Sequence, residues 1–344
     1  MKLMKTEEAV GQVLCHDITQ IIPGVTKDAV FRKGHIITKE DIPVLLSVGK
    51  EHIYIWEKDE HMLHENEAAQ ILYEMCQNEH MHPSDVKEGK IELIADCDGL
   101  FKVDREKLRK VNSLGEMMIA TRHGNTFVKK GDKLAGTRII PLVIEKEKME
   151  RVKEICNDGS ILEIKPLQPK KAAILTTGSE VYHGRIQDKF TPVLVEKLKE
   201  YGSEVIFHEI YDDDHEAITK GCISAIEQGA EIVLCTGGMS VDPDDKTPLA
   251  IKNTGARIVS YGAPVLPGAM FLVSYYEYKD KTIPIVGLPG CVMYAKRTIF
   301  DLALPRLLAN DFITAEELAL LGEGGLCLNC PVCTYPNCGF GKGW

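Results

Sequence analysis

Apolar positions along the chain change rhythm near residue 170. Beyond it, short continuous apolar runs at 172–175, 205–210, 231–235 and 283–288 alternate with amphipathic stretches. The stretch 190–201 places Val193, Leu194 and Leu198 on one helical face before Gly202. A second helix is predicted over 215–228, closed by Gly229, and a third over 292–308. Uninterrupted apolar strands separated by amphipathic helices predict a parallel sheet covered on both faces. Before residue 170 the pattern is mixed. Loose alternation predicts strands at 10–18 and 31–37, and β-branched and aromatic residues predict another at 52–56. Between them, Thr38 with Asp41 three residues on, and Gly49 beyond, frames a helix over 39–48. Ala68, Ile71, Leu72 and Met75 mark an amphipathic helix over 60–77, and 91–165 reads as mixed α and β. The expected fold class is therefore α/β, a mostly parallel doubly wound sheet with an α+β amino-terminal region and a cysteine-rich tail. The segments are 1–57, 58–165, 170–310 and 322–344, with the proline- and lysine-rich 165–171 as the linker.

Composition narrows the class. With 344 residues, 44% hydrophobic and 27% charged, the chain has globular proportions, which excludes disordered, collagenous and membrane classes. No apolar run approaches the roughly 18 residues of a membrane span, and the amino terminus turns acidic before a signal-peptide core forms. A cytoplasmic location is expected, with no membrane partner. A net charge of −10 disfavours a nucleic-acid coat, since phosphate contacts need clustered cations. The histidines His61, His64, His80 and His82 lack metal-ligand spacing and read as a solvated helix face. Seven of eleven cysteines scatter among apolar neighbours, as reduced buried thiols do; the other four crowd the last 18 residues.

In a parallel sheet, ligands bind outside the carboxyl ends of the strands. Three of these ends carry glycine: Thr177-Gly178-Ser179-Glu180, Gly237-Gly238-Met239-Ser240 and Leu288-Pro289-Gly290. Glycine lets backbone N–H groups close on an anion. Acids stand at the same edge: Glu180, then Asp212-Asp213-Asp214, then Asp242, Asp244 and Asp245. Asp214 and Asp245 also suit helix N-caps. Acids repel an anionic ligand unless a cation intervenes, and Mg²⁺ held by carboxylates and ligand phosphate fits that requirement.

Taken in order with Ile218, Asp245-Lys246-Thr247-Pro248 and Leu288-Pro289-Gly290, these motifs resemble the molybdopterin-binding domain of molybdenum-cofactor biosynthesis proteins. The resemblance covers about 170–310. The Gly-Gly-Met-Ser loop and Leu-Pro-Gly turn look most like the molybdenum insertase, and Asp-x-Thr-Pro more like the adenylyltransferases. It implies that Thr177, Gly178, Ser179, Glu180, Gly237, Gly238, Met239, Ser240, Pro267, Gly268, Pro289 and Gly290 bind the pterin and its phosphate. It also implies that Glu180, Asp213 and Asp245 serve magnesium, with Asp213 and Asp245 catalytic in loading molybdate or tungstate onto an adenylylated molybdopterin. Implied partners are the pterin, molybdate, the adenylylated intermediate, a molybdoenzyme acceptor and copies of the chain in a dimer or trimer. Two elements depart from insertases: Pro267-Gly268 is followed by Ala269-Met270 instead of Lys-Pro, and Leu288-Pro289-Gly290 by Cys291-Val292 instead of Asn-Pro. A cation and an amide are thereby lost. This leaves room for a carrier or sensor of the cofactor, and for a competence-damage-type dinucleotide pyrophosphatase through Asp244-Asp245-x-Thr247.

The tail reads Cys327-x2-Cys330-x2-Cys333-x4-Cys338. Its spacing is close to the ferredoxin pattern for a [4Fe–4S] cluster, differing in the last gap; four thiolates also suit zinc, and unliganded or redox-active thiols are the third alternative. Glycines at 322, 324, 325, 339, 341 and 343 predict a tail with little core of its own, ordered by its metal.

Overall fold

The computed structural model describes residues 1–22, 26–55 and 59–343. The chain forms two compact units. One comprises Met1–Asp96, Val103–Arg122 and Lys130–Glu163; the other comprises Cys97–Lys102, His123–Lys129 and Ile164–Trp344. Two short internal pieces, 97–102 and 123–129, fold with the second unit.

In the first unit, Leu14, Ile18, Ile37, Leu45, Ile53 and Ile55 make a small core. The strand expected at 10–18 reduces to isolated bridges at Val13 and Leu14, and regular pairing begins at Ile18–Ile22 against Thr26–Phe31. The helix there runs Asp41–Ser47, and the Thr38 N–H and hydroxyl both donate to Asp41 Oδ2 just ahead of it. The next strand is His52–Ile55; Trp56 lies outside the described residues. The helix expected over 60–77 begins only at Glu65, because Met62–His64 pairs as a strand with Val143–Glu145. His64 departs from the solvated-face reading. It is buried, caps that helix in a box with Glu67, and its Nε2 lies 2.7 Å from the Cys15 carbonyl. A four-stranded antiparallel sheet completes the unit, in the order 81–83, 90–95, 133–139, 117–121.

The second unit is built on six strands: β1 (Lys171–Thr177), β2 (Glu204–Tyr211), β3 (Ile232–Thr236), β4 (Arg257–Tyr261), β5 (Leu272–Tyr278) and β6 (Lys281–Leu288). Their order is β2-β1-β3-β6-β5-β4. Pairing is parallel from β2 through β6, and β5 alone runs against its neighbours. The fold class is α/β with a mostly parallel, doubly wound sheet. Period-two alternation within apolar strands explains why both faces are covered. Ala172, Ile174, Ile232, Leu234, Val286 and Leu288 pack with α1 (Phe190–Lys199) and α4 (Ile299–Leu308). Their neighbours Ala173, Leu175, Val233, Cys235 and Ile285 pack with α2 (His215–Glu227) and α3 (Thr247–Asn253). Each fully buried Leu or Ile here contributes about 1.5–3 kcal/mol.

The helix expected over 292–308 is shorter. Gly290–Met293 forms a 3₁₀ turn, and α4 starts afresh where the Thr298 hydroxyl and the Asp301 carboxylate form a reciprocal cap. The apolar pattern also leaves β4 and β5 unmarked. β5 reverses direction after the proline- and glycine-bearing segment 262–268, so it breaks the βα rhythm that reveals the others.

Candidate functional site at the carboxyl edge of the sheet

The loops after β1, β3 and β6, with the end of β2, form one edge. The first loop turns at Gly178, whose φ of +133° is open mainly to glycine, into a single helical turn at Ser179–Tyr182. The Gly178 N–H donates to the Tyr211 carbonyl, and the Ser179 N–H donates to Asp213 Oδ2 at 2.9 Å. Asp213 is thereby fixed against the loop on which Glu180 sits, exposed. Burial pushes the Asp213 carboxyl above its usual range, and the charges of Asp212, Glu180 and Asp244 push it further, against the Ser179 hydrogen bond. Asp214 is a plain helix N-cap, accepting from the Glu216 and Ala217 N–H groups.

The third-strand loop is locked onto the first. Gly237 stands at φ +83°, and a Cβ there would lie 2.0 Å from the Thr177 carbonyl oxygen. The Thr247 hydroxyl donates to the Gly237 carbonyl at 2.9 Å, so the buried Thr177 hydroxyl, 3.0 Å away, donates to Thr247. Gly237 and Gly238 therefore serve loop-on-loop packing, where their spacing alone suggests room for a ligand. Met239 is buried with its thioether against Gly287, a core position, whereas Ser240 is exposed. The Thr236 hydroxyl is buried at the end of β3 with no hydrogen-bond partner.

Of the acids, Asp244 bears on Asp213. The Asp245 carboxylate instead accepts from the Asp242 N–H at 3.0 Å within its own turn, and its charge is felt by Tyr261. It is no helix cap: Lys246 occupies that place before α3. Among the described residues no three His, Cys, Asp or Glu side chains converge as they would around a metal ion. Gly290 is the open glycine of the set, since a Cβ there would meet nothing within 4 Å, and Pro289 ahead of it is buried. Gly268, by contrast, is packed against Ile299, and the Pro267 carbonyl accepts from the Ile299 N–H.

A polar cluster that the motifs do not reveal lies beside the first loop. Asp188 Oδ2 accepts from the hydroxyls of Thr191 at 2.6 Å and Thr176 at 3.1 Å, and Oδ1 from the Phe190 and Thr191 N–H groups. Burial alone would raise this carboxyl, but those hydrogen bonds win and hold it below the ordinary range. His208 Nε2 lies 3.0 Å from the Thr191 hydroxyl. Asp188 ahead of Phe190 is legible as an N-cap signal; its reach to β1 and β2 is not.

Residues 173–309 match the family model described as "Probable molybdopterin binding domain", and residues 3–57 match one described as a domain of unknown function. The chain is similar to the molybdopterin adenylyltransferase of Pyrococcus furiosus, 27% identical over 135 residues, which are 39% of this chain and 76% of that protein. It is also 34% identical over 77 residues to a CinA-like protein of Mycobacterium tuberculosis; those residues are 22% of this chain and span 18% of that protein's length. Among solved structures, the tungsten cofactor synthesizing protein MoaB from Pyrococcus furiosus is 21% identical, with a TM-score of 0.32, covering 36% of this chain and 84% of that one. The α/β domain at 173–309 belongs to the molybdopterin-binding family of molybdenum-cofactor biosynthesis. Among the described residues, no helix is long and apolar enough to cross a membrane.

Proposed function

We propose that residues 173–309 bind molybdopterin, free or adenylylated, at the carboxyl edge, and that the chain takes molybdate or tungstate as substrate in a magnesium-dependent insertion step. The observation that carries this reading is the Asp213 carboxylate, hydrogen-bonded to the Ser179 N–H and crowded by Glu180 and Asp244 beside a glycine-turned loop. Hard carboxylate oxygens suit Mg²⁺, which takes one or two of them and completes its shell with ligand phosphate. Glu180 and Asp213 would hold it, with Asp245 or Asp244 from the third loop. When bound, the ion supplies charge neutralisation at phosphoryl oxygens. The chain's own groups do the rest. Loop N–H groups orient the phosphate. Asp213, with its affinity for a proton raised, is suited to orient and deprotonate a water.

The test is binding of molybdopterin and adenylylated molybdopterin to the full chain with and without Mg²⁺, followed by addition of molybdate. Binding followed by Mg²⁺-dependent release of AMP is expected; failure to bind either pterin overturns the reading. A carrier or sensor role is the second reading, favoured by Ala269 where insertases place lysine, and binding without AMP release selects it. Hydrolysis of dinucleotide pyrophosphates without pterin binding selects the competence-damage type, supported by likeness to the CinA-like protein.

A further inference from the structure

The cysteine tail is neither loose nor separate. Phe340 is buried in the α1/α4 core, and Tyr335, Cys327 and Cys338 pack against it. The Leu266 N–H donates to the Gly325 carbonyl and the Cys327 N–H to the Leu266 carbonyl, each at 2.8 Å. Tail glycines make close approaches possible: a Cβ at Gly341 would meet Leu302 at 2.3 Å, and one at Gly343 would meet the Leu320 carbonyl at 2.1 Å. The expectation of a tail without a core is corrected accordingly. Its glycines are packing positions.

Tied down in this way, the tail folds around a cavity of about 440 Å³. All four cysteines, Cys327, Cys330, Cys333 and Cys338, line it, and none is in a disulfide. A zinc ion at about 2.3 Å from each sulfur would need the four thiolates drawn to within about 4 Å of one another. Among the described residues no three such ligands converge, so either metal would draw the sulfurs together around the space they line. A cubane of iron and sulfide fills such a space, with one thiolate per iron. The first three cysteines keep the two-residue gaps of ferredoxin sites. The wall also carries charge of the required sign. Lys296 lines the cavity with its ammonium donating to the Pro331 carbonyl, whereas Arg297, 4.9 Å over the Tyr335 ring, is already paired with Asp301 and Glu200. Four thiolates and a cluster carry net negative charge, which Lys296 partly offsets. Leu326 and Leu328, 61% and 78% exposed, are apolar residues of the same wall.

We infer that Cys327, Cys330, Cys333 and Cys338 hold a [4Fe–4S] cluster in this cavity. The assignment is independent of what the carboxyl edge binds.

The experiment is anaerobic purification of the full chain, then reconstitution with ferrous iron and sulfide, and separately with zinc alone. About four irons and four sulfides per chain are expected, with a brown colour that dithionite bleaches. Cys330→Ser and Cys333→Ser, both at exposed positions, should each lose the colour and most of the iron while keeping the far-ultraviolet circular dichroism of the parent. Cys97→Ser should keep the cluster. The assignment is overturned by a chain isolated with stoichiometric zinc and no sulfide. It is equally overturned by one that stays colourless after reconstitution, or by iron retained in both tail variants.

Discussion

Asp213 and Asp311 belong to the same α/β unit and are pushed in opposite directions. Asp213 stands at the carboxyl edge among Asp212, Glu180 and Asp244, and burial plus those charges raise its carboxyl. Asp311 follows α4, buried among Arg306 at 2.6 Å and Lys102 and Lys165 at 2.8 Å. Burial there opposes ionisation, but the cations outweigh it and pull the carboxyl down to about 2. Glu317 shares Arg306 and is likewise held low. Lys102 is held below the lysine range, since its burial outweighs the help of Asp311. The Asp311 cluster is internally compensated and reads as structure. At the edge the charges bearing on Asp213 are all negative, with His183 Nε2 3.5 Å from the neighbouring Asp212 carboxylate.

The widest separation comes from neutralising each acid. Asp311→Asn strips the carboxylate from three buried or half-buried cations and should cost about 3–5 kcal/mol in urea unfolding. Its pH dependence follows from the lowered value. The stabilisation is complete above the unfolded carboxyl range near 4 and is lost as pH falls towards about 2. A loss below about 1 kcal/mol would put this cluster among ordinary surface pairs.

Next in size is the loop lock. Gly237→Ala forces a Cβ against the Thr177 carbonyl at positive φ and should cost about 1–3 kcal/mol, together with pterin affinity. Gly290→Ala, which meets nothing, should stay within about 0.5 kcal/mol and alter only ligand affinity. Thermal unfolding with paired pterin titration checks both, and equal destabilisation would erase the distinction between packed and open loops.

Asp213→Asn should leave stability unchanged or slightly higher, because a raised carboxyl is a cost to the fold that its protonation relieves. Acidification through that raised value therefore stabilises the edge while it weakens Mg²⁺ binding. Mg²⁺-dependent turnover should fall about 100-fold, measured as AMP release. The smallest effects distinguish the neighbouring acids. Asp244→Asn should move the pH at which Mg²⁺ affinity halves downwards, by removing a like charge from Asp213. Asp245→Asn should leave that pH in place and lower turnover with pterin affinity intact. Isothermal titration across pH separates the two outcomes, and an identical shift in both variants would show that Asp245 also faces Asp213.

Much of the second unit is legible in the sequence because its signals are local. Apolar runs at 172–175 and 231–235, glycine after each strand and acids at the same ends place the glycine loops and acids at one edge before any tertiary contact is known. Thr298-x-x-Asp301 is equally readable as a cap, and marks the true start of α4. Harder to read are β5, whose reversal breaks the βα rhythm, and His64, whose burial depends on the Cys15 carbonyl 49 residues away.

The sequence by itself determined that glycine loops and acids share one edge of the sheet and that four cysteines crowd positions 327–338, since covalent order sets the residues that come after each strand. Tertiary structure alone decided what the individual groups do there. Thr177, Gly237 and Thr247 meet across 70 residues, Asp311 meets Lys102 across 209, and Asp213 feels the charge of Asp244 while an Asp245 carboxylate oxygen accepts from Asp242 within its own turn. Hydrogen bonds and charge pairing act over a few ångströms of space, and spacing along the chain does not encode that distance once strands from different parts of the sequence lie side by side.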